Sequence, residues 1–231
     1  MIVIRGFGLA GACCAWELYK RKGVFTVLDD NQKSASHISA GIINPVSGRR
    51  LTQSWEYETA LNTAIPFYES VQEELGDIFF RPIKLYKALT SAGDINLWST
   101  KFPHFAILSA ESVNSNLKKP MAWVEIPVFQ LNIPKILDGL KQFFLQIGIN
   151  FTNSEYIISG ACQQIDCTGA NLPLKNSFFA PAFNIAKGQR LIIRSETFDM
   201  RDIFQDSKQI APYEMETYWV GSTFEWNQEN P

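Results

Sequence analysis

The chain has 231 residues, of which 46% are hydrophobic and 19% are charged, and its formal net charge is −2. This length allows one large domain or two small ones with a sizeable core, and the composition is ordinary for a soluble globular protein. The small net charge excludes a field that would attract nucleic acid or anionic lipid, and no apolar run is long enough to span a bilayer. The N-terminus lacks a signal-peptide pattern, so we expect a cytoplasmic protein.

The opening residues are predicted to form a β-α-β unit. Residues 2–5 are an apolar strand, a glycine-rich turn follows, and a helix is expected over residues 9–22, ended by Gly23 as a C′ glycine. Residues 24–28 predict a second buried strand. Strand, turn, helix and strand in so few residues have the size of one crossover unit with parallel strands.

The rest of the chain alternates between helix and strand patterns. Residues 34–48 are rich in small side chains and predict a helix start followed by a loop. Apolar periodicity and capping residues predict three helices, at 52–76, 94–101 and 133–147. Alternating or short apolar runs predict six strands, at 77–89, 123–131, 149–152, 164–167, 189–194 and 217–223.

The turn after the first strand carries the pattern Gly-Phe-Gly-Leu-Ala-Gly. In a dinucleotide-binding unit the first glycine permits a tight turn, the second lets the backbone approach a pyrophosphate, and the third lets the helix pack on the strand. The helix N-terminus then presents free N–H groups to the phosphates. The first candidate cofactor-binding residues are therefore Gly6, Gly8, Leu9, Ala10 and Gly11.

Two acids follow the second strand. A carboxylate at this position can accept hydrogen bonds from ribose hydroxyls. Asp29 comes directly after the strand and Asp30 follows it, so both are candidates for the cofactor site. Because strand, glycines, helix and acid coincide, we predict a dinucleotide site rather than an unrelated glycine turn.

The segment from Ser34 to Pro45 distinguishes between dinucleotides. With the opening motif, it resembles the D-amino-acid oxidase superfamily of flavoproteins, which includes glycine and sarcosine oxidases. In that superfamily a similar run wraps the FAD diphosphate and ribityl chain, and small side chains leave room for a cofactor lying along the backbone. The resemblance implies FAD and the following contacts: Ala35, Ser36, Ser39, Ala40, Gly41 and Ile42.

Two later patterns are similar to the same superfamily. Thr168 and Gly169 follow a late strand, where such flavoproteins carry a Thr-Gly pair beside FAD. Residues 220–223, Val-Gly-Ser-Thr, match a stretch at the end of a substrate-domain strand. The resemblance covers the whole chain, strongly in residues 1–50 and thinly in residues 51–160.

The resemblance implies an α/β fold (α+β overall), in which a Rossmann-like FAD-binding domain is interleaved with a substrate domain of β-sheet and helices. The FAD-binding domain would comprise residues 1–50 and 150–190, and the substrate domain residues 51–149 and 191–231. The implied activity is that of a FAD-dependent oxidoreductase, which oxidises an amine or amino acid by hydride transfer to the flavin.

The chain departs from the superfamily in its late region. Members normally continue further, with an Arg-Pro pair whose arginine often holds the substrate carboxylate and a glycine-rich loop that contacts the flavin. Neither is present, so we expect a truncated or naturally short form. Arg49 and Arg50 follow the flavin-side loop and are candidates to bind a phosphate or a substrate carboxylate. The alternative is a solvated basic pair that binds no ligand.

Two other functions stay open at this point. A flavin hydroxylase or reductase that uses NAD(P)H would carry a late Gly-Asp loop, which we do not find; a truncated, non-catalytic dinucleotide-binding protein is the other alternative. The expected partner is a small amine or amino acid substrate, and no metal is expected. A homo-oligomer could cover the sheet edge left by the missing tail. The four cysteines are expected to be buried thiols: Cys13, Cys14, Cys162 and Cys167.

Overall fold

The computed structural model describes residues 1–48, 51–113, 117–153, 163–169, 186–196, 198, 200–223 and 225–226. Five helices lie in these ranges: α1 Leu9–Lys20, α2 Ala35–Ile38, α3 Tyr57–Leu75, α4 Ala92–Lys101 and α5 Ile133–Gln146. The first ten strands there are β1 Ile2–Arg5, β2 Phe25–Leu28, β3 Ile42–Ile43, β4 Val46–Ser47, β5 Thr52–Gln53, β6 Phe80–Leu89, β7 Ala106–Ser109, β8 Ala122–Leu131, β9 Phe151–Thr152 and β10 Gln163–Asp166. Six more follow: β11 Ala186–Lys187, β12 Arg190–Arg194, β13 Ile203–Gln205, β14 Gln209–Pro212, β15 Thr217–Gly221 and β16 Glu225–Trp226.

A four-stranded parallel sheet contains the N-terminal unit. Its strand order is β10-β1-β2-β9, and α1 crosses from β1 to β2 as the sequence predicted. At the carboxyl end of β1, Arg5 lies beside Leu28 of β2 and Asp166 of β10. Ligands of open parallel sheets bind outside this edge, so the register brings together the turns that follow β1, β2 and β10.

The end of α1 differs from the prediction. The helix stops at Lys20, and Lys22 takes the left-handed conformation, with φ of 55°, that we had assigned to Gly23. Lys22 N–H donates to the Tyr19 carbonyl and Gly23 N–H to the Leu18 carbonyl, as in a Schellman motif. Gly23 instead allows the backbone to pack closely against Leu18, because a Cβ at residue 23 would lie 3.2 Å from the Leu18 carbonyl oxygen.

The other helices are confirmed, with shifted boundaries. Predicted to begin at residue 52, α3 begins at Tyr57, because Thr52–Gln53 pairs with β4 as a short strand. At the start of α4, Ser91 Oγ accepts the Asp94 N–H, which sets the beginning at Ala92. For α5 the predicted cap is present, since Asn132 Oδ1 accepts the Lys135 N–H at 3.2 Å.

A larger, mixed sheet forms the second layer. Its order is β12-β15-β14-β13-β6-β8-β3, with β7 also on β8. The longest pair is β6 with β8, antiparallel from Phe80 opposite Leu131 to Leu89 opposite Ala122. Four of its short strands, β3, β7, β13 and β14, were not predicted. The small-residue segment enters this sheet through β3, so it connects the two layers.

The buried side chains form separate clusters around the two sheets. Trp16, Val71 and Phe144, from α1, α3 and α5, pack with the parallel sheet. Trp98 packs with the larger sheet in a second cluster, and Trp123 lies in a third. These three tryptophans are fully buried. No helix in the described ranges is both long enough and apolar enough to cross a bilayer.

Candidate cofactor site

The glycine turn after β1 is closed by two backbone contacts. Gly6 has φ of +87°, and a Cβ there would lie 2.7 Å from the Cys167 carbonyl oxygen. A Cβ on Gly11 would lie 2.0 Å from the Gly6 carbonyl oxygen. Real Cβ atoms do not approach oxygen so closely, so both positions require glycine. The predicted close packing of helix on strand is therefore present in this turn.

The N-terminus of α1 faces the small-residue segment. Ser36 Oγ accepts the Leu9 N–H at 3.1 Å, across 27 residues of sequence. A Cβ on Gly8 would lie 3.1 Å from the same Oγ, so the segment approaches the backbone of the turn closely. Ala10 is exposed in the first turn of the helix. The structure thus brings Gly8, Leu9, Ala10 and Ser36 together, as a phosphate site at a helix N-terminus requires.

His37 supports this segment from within. Its Nδ1 accepts the Ser34 N–H at 3.2 Å and lies 3.0 Å from Ser34 Oγ. The ring therefore holds the first turn of α2 in place, next to Ser36. The histidine therefore has a structural role in this segment.

The two predicted acids have different surroundings. Asp29 is 14% exposed and forms an ion pair with Lys141 of α5, with Oδ2 and Nζ 3.2 Å apart. Lys141 also donates to the side-chain oxygen of Asn31. Asp30 is exposed, and its Oδ1 accepts the Gln32 N–H at 2.9 Å in a local turn. A carboxylate has about four acceptor sites, so Asp29 can pair with Lys141 and still accept a ribose hydroxyl.

Thr168 and Gly169 lie beside the glycine turn, where the resemblance implied a cofactor contact. Cys167 N–H donates to the Arg5 carbonyl at 2.8 Å, which extends the β1–β10 ladder by one residue. Thr168 Oγ1 then donates to Asp166 Oδ1 at 2.6 Å, and Gly169 has φ of +60°. The chain therefore turns sharply at the carboxyl edge of the parallel sheet.

A cavity of about 730 Å³ lies between this turn and the larger sheet. Its size is within the range of ordinary small-molecule and cofactor sites. Six predicted cofactor residues line it: Leu9, Ala35, Ser39, Ala40, Gly41 and Ile42. The opposite elements contribute residues that the sequence did not single out for this site: Tyr68, Lys187, Gln189, Arg190, Gln209 and Trp219.

Two contacts hold the cavity wall. Gly41 has φ of +66°, and its carbonyl accepts the Leu131 N–H at 2.8 Å where β3 joins β8. Trp219 of β15 donates its Nε1–H to the Ile38 carbonyl at 2.8 Å, across 181 residues of sequence. The small-residue segment is thus tied to the larger sheet at both ends.

Known structures share this architecture, although no protein-family model matches the sequence. Glycine oxidase from Bacillus cereus ATCC 14579 superposes with a TM-score of 0.75 at 16% identity, over 99% of this chain and 72% of its own. The chain has the glycine oxidase fold. Iminodiacetate oxidase from Chelativorans sp. BNC1 gives a TM-score of 0.72 at 15% identity, over 97% of this chain and 72% of its own. L-proline dehydrogenase from P. horikoshii gives 0.66 at 13% identity, over 100% and 71% of the two chains.

The glycine oxidase fold confirms the α/β architecture with a Rossmann-like unit that the sequence predicted. Arg49 and Arg50, the predicted substrate contacts, lie outside the described residues, as does Cys162. No cluster of three His, Cys, Asp or Glu side chains suited to a metal ion occurs in the part of the chain that the structure describes.

Cys13 and Cys14 lie in α1, and Cys167 lies beside the first turn of this helix. Cys13, Cys14 and Cys167 are free and partly buried. Burial, with a smaller effect of Cys14, raises the pKa of the Cys13 thiol to about 11. Burial and Cys14 likewise raise the pKa of Cys167 to about 11. Cys13 and Cys167 are therefore neutral near pH 7, and a reactive thiolate role is not supported for these two residues.

We expect the free energy of unfolding to fall as the pH rises from about 8.5 to about 11. An unfolded Cys13 ionises near pH 8.5 while the folded one keeps its proton, so in this window the unfolded state binds fewer protons. Cys13 alone would account for about 2–3 kcal/mol of the decrease. Urea unfolding at pH 8 and pH 10.5 measures the decrease, which Cys13→Ala should reduce. An unchanged decrease in that variant would contradict the assignment.

Proposed function

We propose that this chain is a FAD-dependent oxidoreductase that oxidises an amine or amino acid. One observation carries the proposal: a single cavity reaches from Leu9, in the first turn of the glycine-turn helix, to Gln209 and Trp219 of the larger sheet. A cofactor with its phosphates at the turn would therefore have adjoining space for its ring system. A cytoplasmic location and a homo-oligomeric state belong to the same proposal as predictions.

The residues present fit FAD. The glycine turn carries no side chain at Gly8, and the first turn of α1 presents backbone N–H groups beyond that of Leu9, which donates to Ser36 Oγ. The small side chains of residues 35–42 line an open cavity rather than filling it. The residues that would hold the cofactor are Gly6, Gly8, Leu9, Ala10, Gly11, Asp29, Asp30, Ala35, Ser36, Ser39, Ala40, Gly41, Ile42, Thr168 and Gly169.

FAD, when bound, would supply an acceptor for the hydride that leaves the amine carbon, while the nitrogen loses one proton and the C–N bond becomes an imine. The protein's part is to bind, orient and exclude water. The apolar wall formed by Ile42, Leu131 and Trp219 would exclude water from the site. Small-molecule sites of this kind combine an apolar lining with a few polar groups that set orientation.

A visible spectrum of the purified protein tests the proposal. We expect the absorption bands of oxidised flavin, either as purified or after titration with FAD, and bleaching of those bands on anaerobic addition of an amine or amino acid. A protein that stays colourless and takes up no FAD would refute the proposal. Rapid bleaching by NADPH, with no response to a panel of amines and amino acids, would favour the NAD(P)H-using alternative instead.

Asp29→Ala is expected to weaken FAD binding about tenfold or more, because it removes a carboxylate placed to accept a ribose hydroxyl. Asp77→Ala is the matched control and should change the dissociation constant less than about twofold, since it breaks a similar ion pair, with Lys135, outside the cavity lining. Fluorescence titration with FAD measures both.

Loss of the Asp29–Lys141 ion pair could lower stability without any effect on ribose binding. Lys141→Gln breaks the same pair and keeps the carboxylate, so it separates the two effects. It should lower the melting temperature of the FAD-free protein much as Asp29→Ala does, while FAD affinity stays closer to that of the wild type. Equal losses of affinity in both variants would contradict a ribose contact.

A further inference from the structure

A second cavity, of about 300 Å³, lies at the edge of the larger sheet. None of its described lining residues also lines the cavity proposed for FAD. On the side of β8 away from β6, residues 122–125 pair with β7 and residues 129–130 pair with β3. Pro127 lies in the gap between these two partners and lines the cavity. The volume is at the lower end of the range for small-molecule sites, and the proposed oxidation does not use this space.

Aromatic rings form much of the lining: Tyr57, Phe102, His104, Phe105 and Phe129. The His104 ring centroid lies 4.2 Å from that of Phe105 at an interplanar angle of 53°, and 6.1 Å from that of Phe102 at 80°. These three rings therefore form a curved wall rather than a flat stack. The fully buried Trp98 contacts Phe102 and Phe105. The wall is thus held in place by the core before any ligand binds, which reduces the entropic cost of binding.

The charge of this cavity is negative. Glu58, in the first turn of α3, is the one carboxylate in the described lining, which includes no lysine or arginine. Glu58 and His104 are exposed while Phe102 is buried, so the cavity is open to water beside the carboxylate and apolar at its floor. Burial and the Glu58 carboxylate raise the pKa of the Tyr57 phenol, which therefore stays neutral near pH 7. Ring faces carry partial negative charge, so rings and carboxylate together favour a cation.

We propose that this second cavity binds an organic cation with alkyl groups on its nitrogen, of the quaternary ammonium class. The alkyl groups would contact the rings, and Glu58 would balance the charge. A bare ammonium or metal ion would lose hydrogen bonds or ligands from water that aromatic rings cannot replace. A quaternary nitrogen has no N–H and cannot become an imine, so the ligand is of a different class from a substrate of the proposed oxidation. The inference is independent of that function.

Two probes of the same shape test the proposal. Choline carries a quaternary nitrogen, and its isostere dimethylbutanol has a carbon atom in that place and no charge. Saturation-transfer NMR titration of the wild-type protein should show choline binding about tenfold more tightly than the isostere, with or without FAD. In Tyr57→Leu the affinity for choline should fall about two- to thirtyfold, with little change for the isostere, because the ring face is lost. Tyr57→Phe keeps the ring and should stay within about twofold of the wild type.

Glu58→Gln tests the carboxylate. Because Glu58 is exposed, this variant should weaken choline binding by only about two- to fivefold, and added salt should weaken binding to the wild-type protein in the same direction. Glu69→Gln is the matched control, since Glu69 is exposed on the same helix and outside the lining. It removes the same charge and should leave the affinity for choline unchanged. Neither variant should change the affinity for the isostere.

Three results would overturn the proposal: no binding of choline to the wild type, equal binding of choline and its isostere, or choline binding that is unchanged in both Tyr57→Leu and Glu58→Gln. If Tyr57→Leu does not fold, Phe105→Leu tests the same ring contact and should lose affinity for choline selectively. Selective choline binding by a protein that takes up no FAD would support the second cavity and refute only the oxidoreductase proposal.

Discussion

Gly41→Ala is expected to destabilise the protein by about 3 kcal/mol or more and to abolish binding in the cavity. Gly41 has φ of +66°, and a Cβ there would lie 1.8 Å from the Leu131 carbonyl oxygen. The overlap can be relieved only by moving β3 away from β8, which would break the hydrogen bond from Leu131 N–H to the Gly41 carbonyl. The small-residue segment would then lose its attachment to the larger sheet.

Gly48→Ala is the control for backbone strain alone. Gly48 has nearly the same φ, +70°, but no atom of the described residues beyond its own chain neighbours lies within 4 Å of the position of its Cβ. This substitution should lower the free energy of unfolding by only about 1 kcal/mol, the cost of placing an alanine in the left-handed conformation. Urea unfolding of the two variants measures the difference, and equal losses would show that the contact with Leu131 is not tight.

Gly11→Ala is expected to have an effect of the same order. Alanine usually stabilises a helix by up to about 1 kcal/mol relative to glycine, so propensity alone predicts a gain. Here a Cβ would lie 2.0 Å from the Gly6 carbonyl oxygen, in the turn between β1 and α1. We expect a loss of about 3 kcal/mol or more and no measurable FAD uptake, because relief of the overlap opens the turn at the proposed phosphate site.

Gly93→Ala is the control, and for this variant we expect no loss of stability. Gly93 lies in the first turn of α4, where the nearest atom to a Cβ would be Ser91 Oγ at 3.6 Å. This variant should be as stable as the wild type or slightly more stable, and it should take up FAD normally. The melting temperature and the flavin absorbance of both variants test this expectation. A Gly11→Ala protein that is as stable as Gly93→Ala and takes up as much FAD would contradict a close-packed turn.

Features that depend on neighbours in the chain were predicted from the sequence. The β-α-β unit follows from a short apolar strand, three glycines and an apolar helix, and α5 follows from Asn132 and Pro134 at its start. Local rules were less reliable where two residues competed for one role. At the end of α1, Lys22 adopts the left-handed conformation, while Gly23 is used for close approach to Leu18.

Contacts between distant segments required the tertiary structure. No local pattern pairs Asp29 with Lys141, since α5 carries two lysines, Lys135 and Lys141, and only packing selects one of them. The short strands β7 and β13 form because the ten-residue strands β8 and β6 supply their hydrogen bonds, which no run of three or four residues encodes. The strand β14 is paired on both sides, with β13 and β15.

The sequence alone determined the turn from Gly6 to Gly11 and the small residues that adjoin it, because steric demands on glycine and strand periodicity are local properties. Only the tertiary structure decided what faces that turn across the cavity, including Trp219, whose Nε1–H donates to the Ile38 carbonyl. The physical reason is that burial and charge pairing depend on which distant strands meet, and sheet order is set by the whole chain.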